Sequence, residues 1–468
     1  MSAIQPSIAR APVDTAFLDA LTDRFGFRAH RSEAILAQHG ASESHFETCL
    51  PDAVVFVHST EEVVELVKMC IAANVPIVPF GAGTSIEGNA TPIRGGVSVD
   101  LSEMNAILSI NAEDFDCTVQ AGVRREQLNE NLRDVGLFFP IDPGANATIG
   151  GMASTRASGT NAVRYGTMRE AILSLGVVTP DGREIRTSRR ARKSAAGYDL
   201  THLFIGAEGT LGIITEVTLR LHPIPEMISS AVCSFETLRG AVDTVVQSIQ
   251  MSVPLARVEI LDDMQMRAVN AWSKLDYPEL TTLFFEFHGS PAYVAEQVET
   301  VKELAATNGG GEFRWSNLPE ERSKLWKARH EAYYAAVNLR PGAVGWATDV
   351  CVPISRLAEC IGETKADLEA ATLPATILGH VGDGNFHVIF SIDPNEPNDM
   401  IEAEALNARI VERALAMDGT CTGEHGIGLG KQDWLLKELG EDAVALMRTL
   451  KHALDPKDLF NPGKIFAF

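Results

Sequence analysis

The pattern of apolar and polar residues divides the chain into stretches that predict different secondary structure. Residues 14–47 carry an amphipathic helical pattern, which predicts a helical lead-in segment. From Pro51 to about residue 225, short β-rich runs alternate with helices and with glycine-rich loops. Beyond the Pro223 and Pro225 pair, strands and helices alternate again, and this order predicts an α+β domain with an antiparallel sheet.

Start and stop signals mark several single elements. Ser59-Thr60-Glu61-Glu62 is a helix-capping sequence, and it predicts a helix that ends near Asn74. A charged helix is predicted over 320–339, a hairpin over 375–392 and a long helix over 397–417. Strands are predicted at 53–58, 76–79, 172–179, 212–221, 229–235, 257–261 and 283–288.

The predicted hairpin holds the first candidate chemistry, in the sequence Gly379-His380-Val381-Gly382-Asp383-Gly384-Asn385-Phe386-His387. A two-residue Asp383-Gly384 turn would place His380 directly opposite His387, with Cβ atoms roughly 4.5–5.5 Å apart. Two imidazoles at that spacing can hold a divalent metal. Glu424, in the distant segment Gly423-Glu424-His425-Gly426, would supply a third ligand. Three protein ligands with open positions are typical of a catalytic metal, Zn or Mn foremost, with Fe and Co also open. On the hairpin alone, two ordinary histidines are an equal alternative.

Composition narrows the class of function. The 468 residues are 45% hydrophobic and 22% charged, as in ordinary globular enzymes. The 40 basic and 62 acidic residues give a net charge of −22, which argues against nucleic acid or an anionic membrane surface as a partner. An acidic substrate would therefore need local cations. Seven cysteines without a CxxC pair exclude a cysteine-ligated zinc knuckle or iron–sulfur cluster and fit a reducing compartment.

We find no targeting signal. Met1–Pro12 has neither an apolar signal-peptide core nor the character of a transit peptide, and no run approaches the roughly 18 apolar residues that span a bilayer. We therefore expect a cytoplasmic protein without a transmembrane segment.

Three glycine-rich stretches suggest a cofactor. Residues 81–88 follow a predicted strand, but Ile86 stands where the dinucleotide fingerprint requires its third glycine, and there is no Gly-Lys-Ser/Thr P-loop. Consecutive backbone N–H groups in such a loop can still bind a phosphate, although a plain tight loop is an equal alternative. Stretches 142–166 and 206–215 are also rich in small residues, which indicates close approach to a large flat group.

These stretches carry a family resemblance. PFGAGTS (79–85), DPGANATIGGMAS (142–154) and GAEGTLGIITE (206–216) resemble the FAD domain of the vanillyl-alcohol oxidase/PCMH flavoenzymes. TDVCVPISRLAE (348–359), GHVGDGNFH (379–387), GTCTGEHGIG (419–428) and the closing NPGK narrow the resemblance to the FAD-linked D-2-hydroxyacid dehydrogenases. Within these the chain is most similar to the D-lactate dehydrogenase (cytochrome) group, with glycolate oxidase flavin subunits and D-2-hydroxyglutarate dehydrogenases as relatives.

The resemblance implies an α+β fold with a PCMH-type FAD-binding domain. The expected division is a lead-in segment at 1–48, the FAD domain at 49–225, a cap domain carrying substrate and metal at 226–450, and a segment at 451–468 that returns to the FAD domain. FAD should be bound non-covalently, because the first two loops hold no His or Cys. The FAD contacts implied are Pro79, Phe80, Gly81, Ala82, Gly83, Thr84, Ser85, Asp142, Pro143, Gly144, Thr148, Gly150, Gly151, Ser154, Gly159, Tyr165, Glu208, Gly209, Gly212, Ile214 and Asn461.

The resemblance also implies a reaction, the oxidation of a small D-2-hydroxy acid to the 2-oxo acid with hydride passed to flavin N5. His425 is expected to be the general base, and Arg329 to bind the substrate carboxylate. Tyr333, Trp346 and Asn385 are further substrate-binding candidates. The hydroxyglutarate enzymes carry a Lys for a second carboxylate, whereas no cation stands between residues 342 and 350 here, which favours D-lactate.

Several alternatives stay open at this point. The chain could be a glycolate oxidase flavin subunit that needs an iron–sulfur partner, or a D-2-hydroxyglutarate dehydrogenase. From a different class, a metal-dependent hydrolase would explain the hairpin histidines but not the three glycine-rich loops. The expected partners are a small monocarboxylate and an external electron acceptor, which is a cytochrome, a quinone or an electron-transfer protein. A homodimer is one of the assembly states that the sequence leaves open.

Overall fold

The computed structural model describes residues 12–42 and 44–466, and contacts divide the chain into two compact units. The first unit takes in the described residues before Gly159, residues Thr167–Ile224, and the chain from Glu424 onward. The second takes in residues Gly159–Gly166 and Pro225–Gly423. The break after Ile224 lies at the Pro223 and Pro225 pair. The return to the first unit begins at Glu424, earlier than the expected residue 451.

The lead-in segment contains two helices. Thr15–Phe25 ends where Gly26 takes a positive φ of 61°, a conformation that favours glycine. Strand Ala29–His30 follows a short 3₁₀ turn, and a second helix spans Glu33–Gly40. The helix predicted from the Ser59 capping sequence is confirmed as Thr60–Ala73, with the Ser59 hydroxyl accepting from Glu62 N at 3.3 Å.

Two main sheets organise the first unit. Its strands, in chain order, are β1 (Ala29–His30), β2 (Ala53–Phe56), β3 (Ile77–Phe80), β4 (Val97–Asp100), β5 (Ile107–Asn111), β6 (Asp116–Gln120), β7 (Leu137–Phe138), β8 (Ile172–Val178), β9 (Glu184–Arg186), β10 (Ile213–Arg220) and β11 (His222–Pro223). The first sheet has the order β1-β2-β4-β3, and β2, β4 and β3 run parallel. The second is antiparallel in the order β5-β6-β10-β8-β9, and β7 pairs with β11.

Each main sheet of the first unit lies on an apolar core of its own. The C-terminal segment joins the first sheet, because Ile77 N donates to Leu459 O and Asn461 N donates to Ile77 O, each at 2.7 Å. The remaining helices of this unit are Arg125–Arg133, Ile149–Thr155, Met168–Ala171, Leu200–Phe204, Gln432–Leu439 and Glu441–Leu454.

The second unit is built on one antiparallel sheet, as the sequence predicts. Its strands are β12 (Met227–Phe235), β13 (Leu255–Leu261), β14 (Thr281–Gly289), β15 (Arg314–Ser316), β16 (Val344–Ala347), β17 (Val350–Cys351), β18 (Ala375–Gly379) and β19 (Asn385–Ile392). The order is β15-β12-β14-β13-β18-β19-β16, and β17 also pairs with β19. The helices are Ala162–Tyr165, Leu238–Gln250, Asp263–Ser273, Pro291–Thr307, Pro319–His330, Ala332–Val337, Leu357–Glu369 and Pro397–Ala416.

Two predicted elements of this unit differ from the structure. The charged helix over 320–339 is broken at Glu331, whose ψ of 2° interrupts the helical path between Pro319–His330 and Ala332–Val337. The hairpin has a longer connection than the predicted two-residue turn. Asp383 N donates to His380 O at 3.1 Å, so a turn already begins at His380, and Gly384 with φ 85° completes the connection. Leu378, not His380, is therefore the residue opposite His387.

Across the described residues, every helix is too short or too polar to serve as a membrane span.

Candidate active site

His380 and His387 lie side by side in the second unit although their register differs from the prediction. Their ring centroids are 5.4 Å apart and the ring planes cross at 83°. His387 lies in β19 and His380 at the end of β18, and both side chains are buried. The connection that displaces His380 from the ladder therefore still brings the two imidazoles together.

The Nδ1 atom of each histidine is held by an oxygen of the protein. His380 Nδ1 donates to Glu259 Oε1 at 2.7 Å, and His387 Nδ1 donates to the Thr348 carbonyl at 2.9 Å. Because both partners are acceptors, the proton of each ring belongs on Nδ1, and Nε2 is the nitrogen suited to a metal. Histidines that ligate metals are commonly oriented by a carboxylate or carbonyl in this way. The donor set thus fits a divalent metal.

Glu259 joins His380 to Arg329. It lies in β13 and is fully buried, and its Oε2 accepts from Arg329 Nε at 2.7 Å. Burial acts to raise the pKa of the Glu259 carboxyl, but His380 and Arg329 together hold it below its ordinary value. Arg329 is itself largely buried, and with Nε committed to Glu259 its terminal nitrogens are the donors by which it would bind an anion.

A second buried carboxylate, Asp349, organises the other side of the histidine pair. Asn385 Nδ2 donates to Asp349 Oδ1 and to the Val350 carbonyl, each at 2.8 Å. The Thr422 hydroxyl donates to Asp349 Oδ2 at 2.8 Å. The amide N–H groups of Asn385, predicted to bind substrate, thus bond to Asp349 and to the Val350 carbonyl.

Gly423 packs close against this carboxylate network. A Cβ at Gly423 would lie 2.9 Å from Asp349 Oδ1 and closer still to the Asn385 amide, so a larger residue there would displace these side chains. Glu424 and His425 are the next two residues of the chain. The approach of Gly423 to β19 explains why a glycine precedes them.

The two aromatic candidates lie beside strand β16. The Tyr333 hydroxyl donates to the Gly345 carbonyl at 3.4 Å, and Trp346 packs edge-to-face on Phe390 at 6.0 Å between ring centroids. Tyr333 lies four residues after Arg329, and the helix break at Glu331 falls between them.

The three glycine-rich loops meet in the first unit. Gly81 directly follows β3, and a Cβ there would clash with the Thr148 hydroxyl of the second loop. A Cβ at Gly209 of the third loop would lie 2.9 Å from Pro79 Cγ. The first loop leaves the carboxyl end of a parallel strand, where open α/β sheets bind ligands. Loops this close, with small residues at each contact, fit an extended cofactor such as FAD.

Other predicted FAD contacts take positions that their sequence did not indicate. Gly159 and Tyr165 belong to the second unit, where the Tyr165 hydroxyl bonds His288 Nδ1 at 2.8 Å. Asn461 is buried in the first unit and donates from Nδ2 to the Asn89 and Glu208 carbonyls at 2.7 and 2.6 Å. Gly212 lies against the Val178 carbonyl and Ile214 is buried in β10.

The Glu208 carboxylate turns to the protein interior. Its Oε1 accepts from Ile427 N at 2.8 Å, and its Oε2 accepts from Gly428 N at 2.9 Å and from Asn89 Nδ2 at 2.8 Å. Burial raises the pKa of the Glu208 carboxyl, and these N–H donors oppose that shift. The side chain of Glu208, one of the implied FAD contacts, therefore bonds to the segment that follows His425.

Glu259, Asp349 and Thr348 belong to the network around the histidine pair although no sequence motif singled them out. Glu259 carries a signal that could have been used, since it is an acid between apolar neighbours in Val258-Glu259-Ile260-Leu261. A carboxylate in such a strand needs buried partners. Thr348 and Asp349 carry no comparable signal, because their importance depends on the distant strand that they contact.

Comparison with known proteins accounts for both units. Residues 224–465 match the family of FAD linked oxidases, C-terminal domain, and residues 51–188 match the FAD binding domain. The chain is 53% identical over 435 residues to the probable D-lactate dehydrogenase, mitochondrial, of Danio rerio, which covers 92% of this chain and 88% of that protein. It is 48% identical over 429 residues to D-lactate dehydrogenase (cytochrome), mitochondrial, of Arabidopsis thaliana, over 91% of this chain and 76% of that one.

A solved structure agrees with the fold. The crystal structure of p-cresol methylhydroxylase with substrate bound aligns with a TM-score of 0.77 over 98% of both chains at 19% identity, which concerns the fold alone. The expected PCMH-type fold is confirmed. The FAD binding domain match also covers the first two glycine-rich loops, which the hydrolase alternative left unexplained. The chain therefore belongs to the family of FAD-linked oxidases.

Proposed function

We propose that this protein oxidises a small D-2-hydroxy acid, D-lactate in particular, to the 2-oxo acid. The observation that carries the proposal is the shared carboxylate of Glu259, which bonds both His380 and Arg329. The buried Glu259 carboxylate thereby connects a histidine, which can bind a metal, to an arginine, which can bind an anion. A 2-hydroxy carboxylate has a hydroxyl group that a metal can bind and a carboxylate that an arginine can bind. The similarity to D-lactate dehydrogenases of Danio rerio and Arabidopsis thaliana supports D-lactate as the substrate.

A divalent metal, Zn or Mn, is proposed to be held by His380, His387 and Glu424. The Nδ1 contacts of the two histidines support their part, and Glu424 directly follows Gly423, which packs on Asp349. Such a metal would act as a Lewis acid toward the hydroxyl and carboxylate oxygens of the substrate. Zn and Mn both accept this mixed nitrogen and oxygen set.

The protein's own residues then orient the substrate and move one proton. Arg329 binds the carboxylate through its terminal nitrogens, which also offsets the net charge of −22. His425 accepts the hydroxyl proton at a ring nitrogen. FAD, bound non-covalently on the three glycine-rich loops, supplies the acceptor for the hydride from C2. The absence of a cation between residues 342 and 350 favours a substrate with one carboxylate.

The test is anaerobic bleaching of the flavin by a panel of acids. Purified protein is mixed with D-lactate, L-lactate, glycolate or D-2-hydroxyglutarate, and flavin absorbance is followed. We expect the fastest bleaching with D-lactate and none with L-lactate. A protein without a flavin spectrum, or one that is bleached only by L-lactate, would contradict the proposal. Fastest bleaching by D-2-hydroxyglutarate would identify the dicarboxylate alternative.

The electron acceptor, location and assembly state are further predictions. A cytochrome is the proposed acceptor, as the name of the Arabidopsis thaliana relative suggests. Reoxidation of reduced protein by cytochrome c, compared with a quinone and a dye, tests it. The prediction of a cytoplasmic protein is checked by cell fractionation, since both relatives have mitochondrial in their names. Sedimentation measures whether the chain forms a homodimer.

A further inference from the structure

The segment that carries the proposed base is folded around two buried glutamates of the first unit. Glu87 lies near the end of the first glycine-rich loop, and Glu208 precedes Gly209 in the third. Both side chains are at most 5% exposed. The residues after His425, up to Lys431, contact these two carboxylates through backbone and side-chain donors.

Glu87 holds the later part of the segment. Its Oε1 lies 3.0 Å from Lys431 Nζ and 3.9 Å from His425 Nδ1. Its backbone carbonyl accepts from Leu429 N at 2.8 Å. A Cβ at Gly430 would lie 2.8 Å from Glu87 Oε2, so the backbone there runs directly over the carboxylate.

Glu208 holds the earlier part, immediately after His425. Its two oxygens accept the N–H groups of Ile427 and Gly428, and a Cβ at Gly426 would lie 2.8 Å from Oε1. Gly426 has a φ of 79° and Gly428 a φ of 48°, so a tight left-handed path at both glycines points the intervening N–H groups at one acceptor. The carboxylate thus sits inside the turn that follows His425.

Neighbouring amides fix Glu208 in turn. Asn89 Nδ2 donates to Glu208 Oε2 at 2.8 Å and approaches the His425 carbonyl at 3.4 Å. Asn461 Nδ2 donates to the Glu208 carbonyl at 2.6 Å. Three N–H donors, from Ile427, Gly428 and Asn89, point at the Glu208 side chain, which suits a group that only accepts, such as an ionised carboxylate.

We propose that Glu208 is a positioning residue, whose buried carboxylate fixes the turn at Ile427 and Gly428 and thereby sets the place of Glu424 and His425. The inference rests on the proposed function, in which those two residues bind metal and accept a proton. Glu208 touches neither substrate nor metal in this role. It links the third glycine-rich loop to the catalytic segment.

Glu208→Gln is the test variant, since glutamine keeps the size but directs an NH₂ group at an N–H donor. Two measurements are compared with wild type: amide hydrogen exchange of the peptide spanning 423–431, and the rate of flavin reduction by D-lactate per bound FAD. We expect amide exchange in this peptide to be about 100-fold faster. The loss of a hydrogen bond to a charged acceptor raises the opening equilibrium constant by roughly one to two factors of ten. Flavin reduction should slow at least 10-fold at saturating substrate with FAD content unchanged, since a misplaced group lowers kcat more than KM.

Glu62→Gln is the matched control. Glu62 is a largely buried carboxylate of the same unit that accepts one backbone N–H, from His58 at 2.9 Å, and a bidentate bond from Arg28. Its replacement should lower the unfolding temperature while leaving flavin reduction and the exchange of 423–431 unchanged. If Glu208→Gln fails to retain FAD, Asn89→Ala takes its place, because it removes one donor to Glu208 and keeps the carboxylate.

Each outcome decides the proposal. Faster exchange together with slower flavin reduction supports it. Unchanged exchange, or faster exchange with wild-type flavin reduction, overturns it, and so does an equal loss of rate in Glu62→Gln. Wild-type protein that no 2-hydroxy acid reduces would overturn the proposed function separately, and the exchange rates would still decide whether Glu208 fixes the turn.

Discussion

Replacing Glu259 by glutamine should weaken metal binding and substrate binding together, because one carboxylate supports both. Its two oxygens accept from His380 Nδ1 and Arg329 Nε, each at 2.7 Å, and its side chain is fully buried. Glutamine offers one acceptor oxygen, so one hydrogen bond to a charged group is lost. Such a bond contributes about 2 kcal/mol, or roughly a factor of 30.

The assay has two arms. Chelator-treated Glu259→Gln is titrated with Zn²⁺ or Mn²⁺ by calorimetry, and KM for D-lactate is measured on the metal-loaded protein. Loss of a group that orients a metal-binding histidine lowers metal affinity by about 10–100-fold. We expect metal affinity to fall within that range and KM to rise by a similar factor, since Arg329 loses the group that holds its guanidinium.

Glu286→Gln provides the control on the neighbouring strand. Glu286 is also a buried carboxylate with one histidine and one arginine, since it lies 2.9 Å from His288 Nε2 and 3.4 Å from Arg257 Nε. The same chemistry is removed there without touching the His380 and His387 pair. Wild-type metal affinity and KM in Glu259→Gln would refute the reasoning. Equal losses in both variants would also refute it, because they would report a general weakening of the sheet.

Further outcomes follow from the same structure. Arg329→Lys should raise KM for D-lactate about 10-fold or more with FAD content unchanged, because a lysine cannot bond Glu259 and a carboxylate through one planar group; steady-state kinetics measures this. His380→Ala should lower metal content in the purified protein, which elemental analysis reports. His425→Ala should slow flavin reduction by about 10²–10⁴-fold while FAD stays bound, and a wild-type rate would remove its role as base. Arg28→Ala should destabilise the fold by on the order of 3 kcal/mol at most near pH 7, since Arg28 lowers the pKa of Glu62 to about 2. That stability is complete above the ordinary glutamate pKa and is lost as pH falls through about 2, so the difference from wild type in chemical unfolding should shrink below pH 4.

Local signals in the sequence predicted most elements of the fold. The Ser59 cap, the Pro223 and Pro225 boundary and the alternating strands of the second unit were each encoded by neighbouring residues. The charged helix predicted over 320–339 is broken at Glu331. A helix break of this kind depends on tertiary packing, and the helix propensities of the residues do not report that packing.

The sequence predicted several residues of the candidate site, but it did not predict the hydrogen bonds that connect them. The His380 and His387 pair was found from a hairpin whose register was wrong, because the turn is longer than Asp383-Gly384 alone suggests. Glu259 could not be paired with His380 from sequence, since 121 residues separate them. Likewise, the Glu208 contact with Ile427 joins residues 219 positions apart. Contacts between such distant residues depend on the order of the strands in the sheets and on the path of the chain between them. A single sequence does not reveal either.

The central claim is tested most directly by measuring how the rate of flavin reduction depends on the metal and on the stereochemistry of the substrate. Protein loaded with Zn²⁺ or Mn²⁺ and protein stripped by a chelator are each mixed anaerobically with D-lactate or L-lactate, and flavin absorbance is recorded. The account predicts rapid bleaching only for metal-loaded protein with D-lactate, and recovery of the stripped protein when the metal is returned. Equal bleaching of loaded and stripped protein, or of D- and L-lactate, would contradict it.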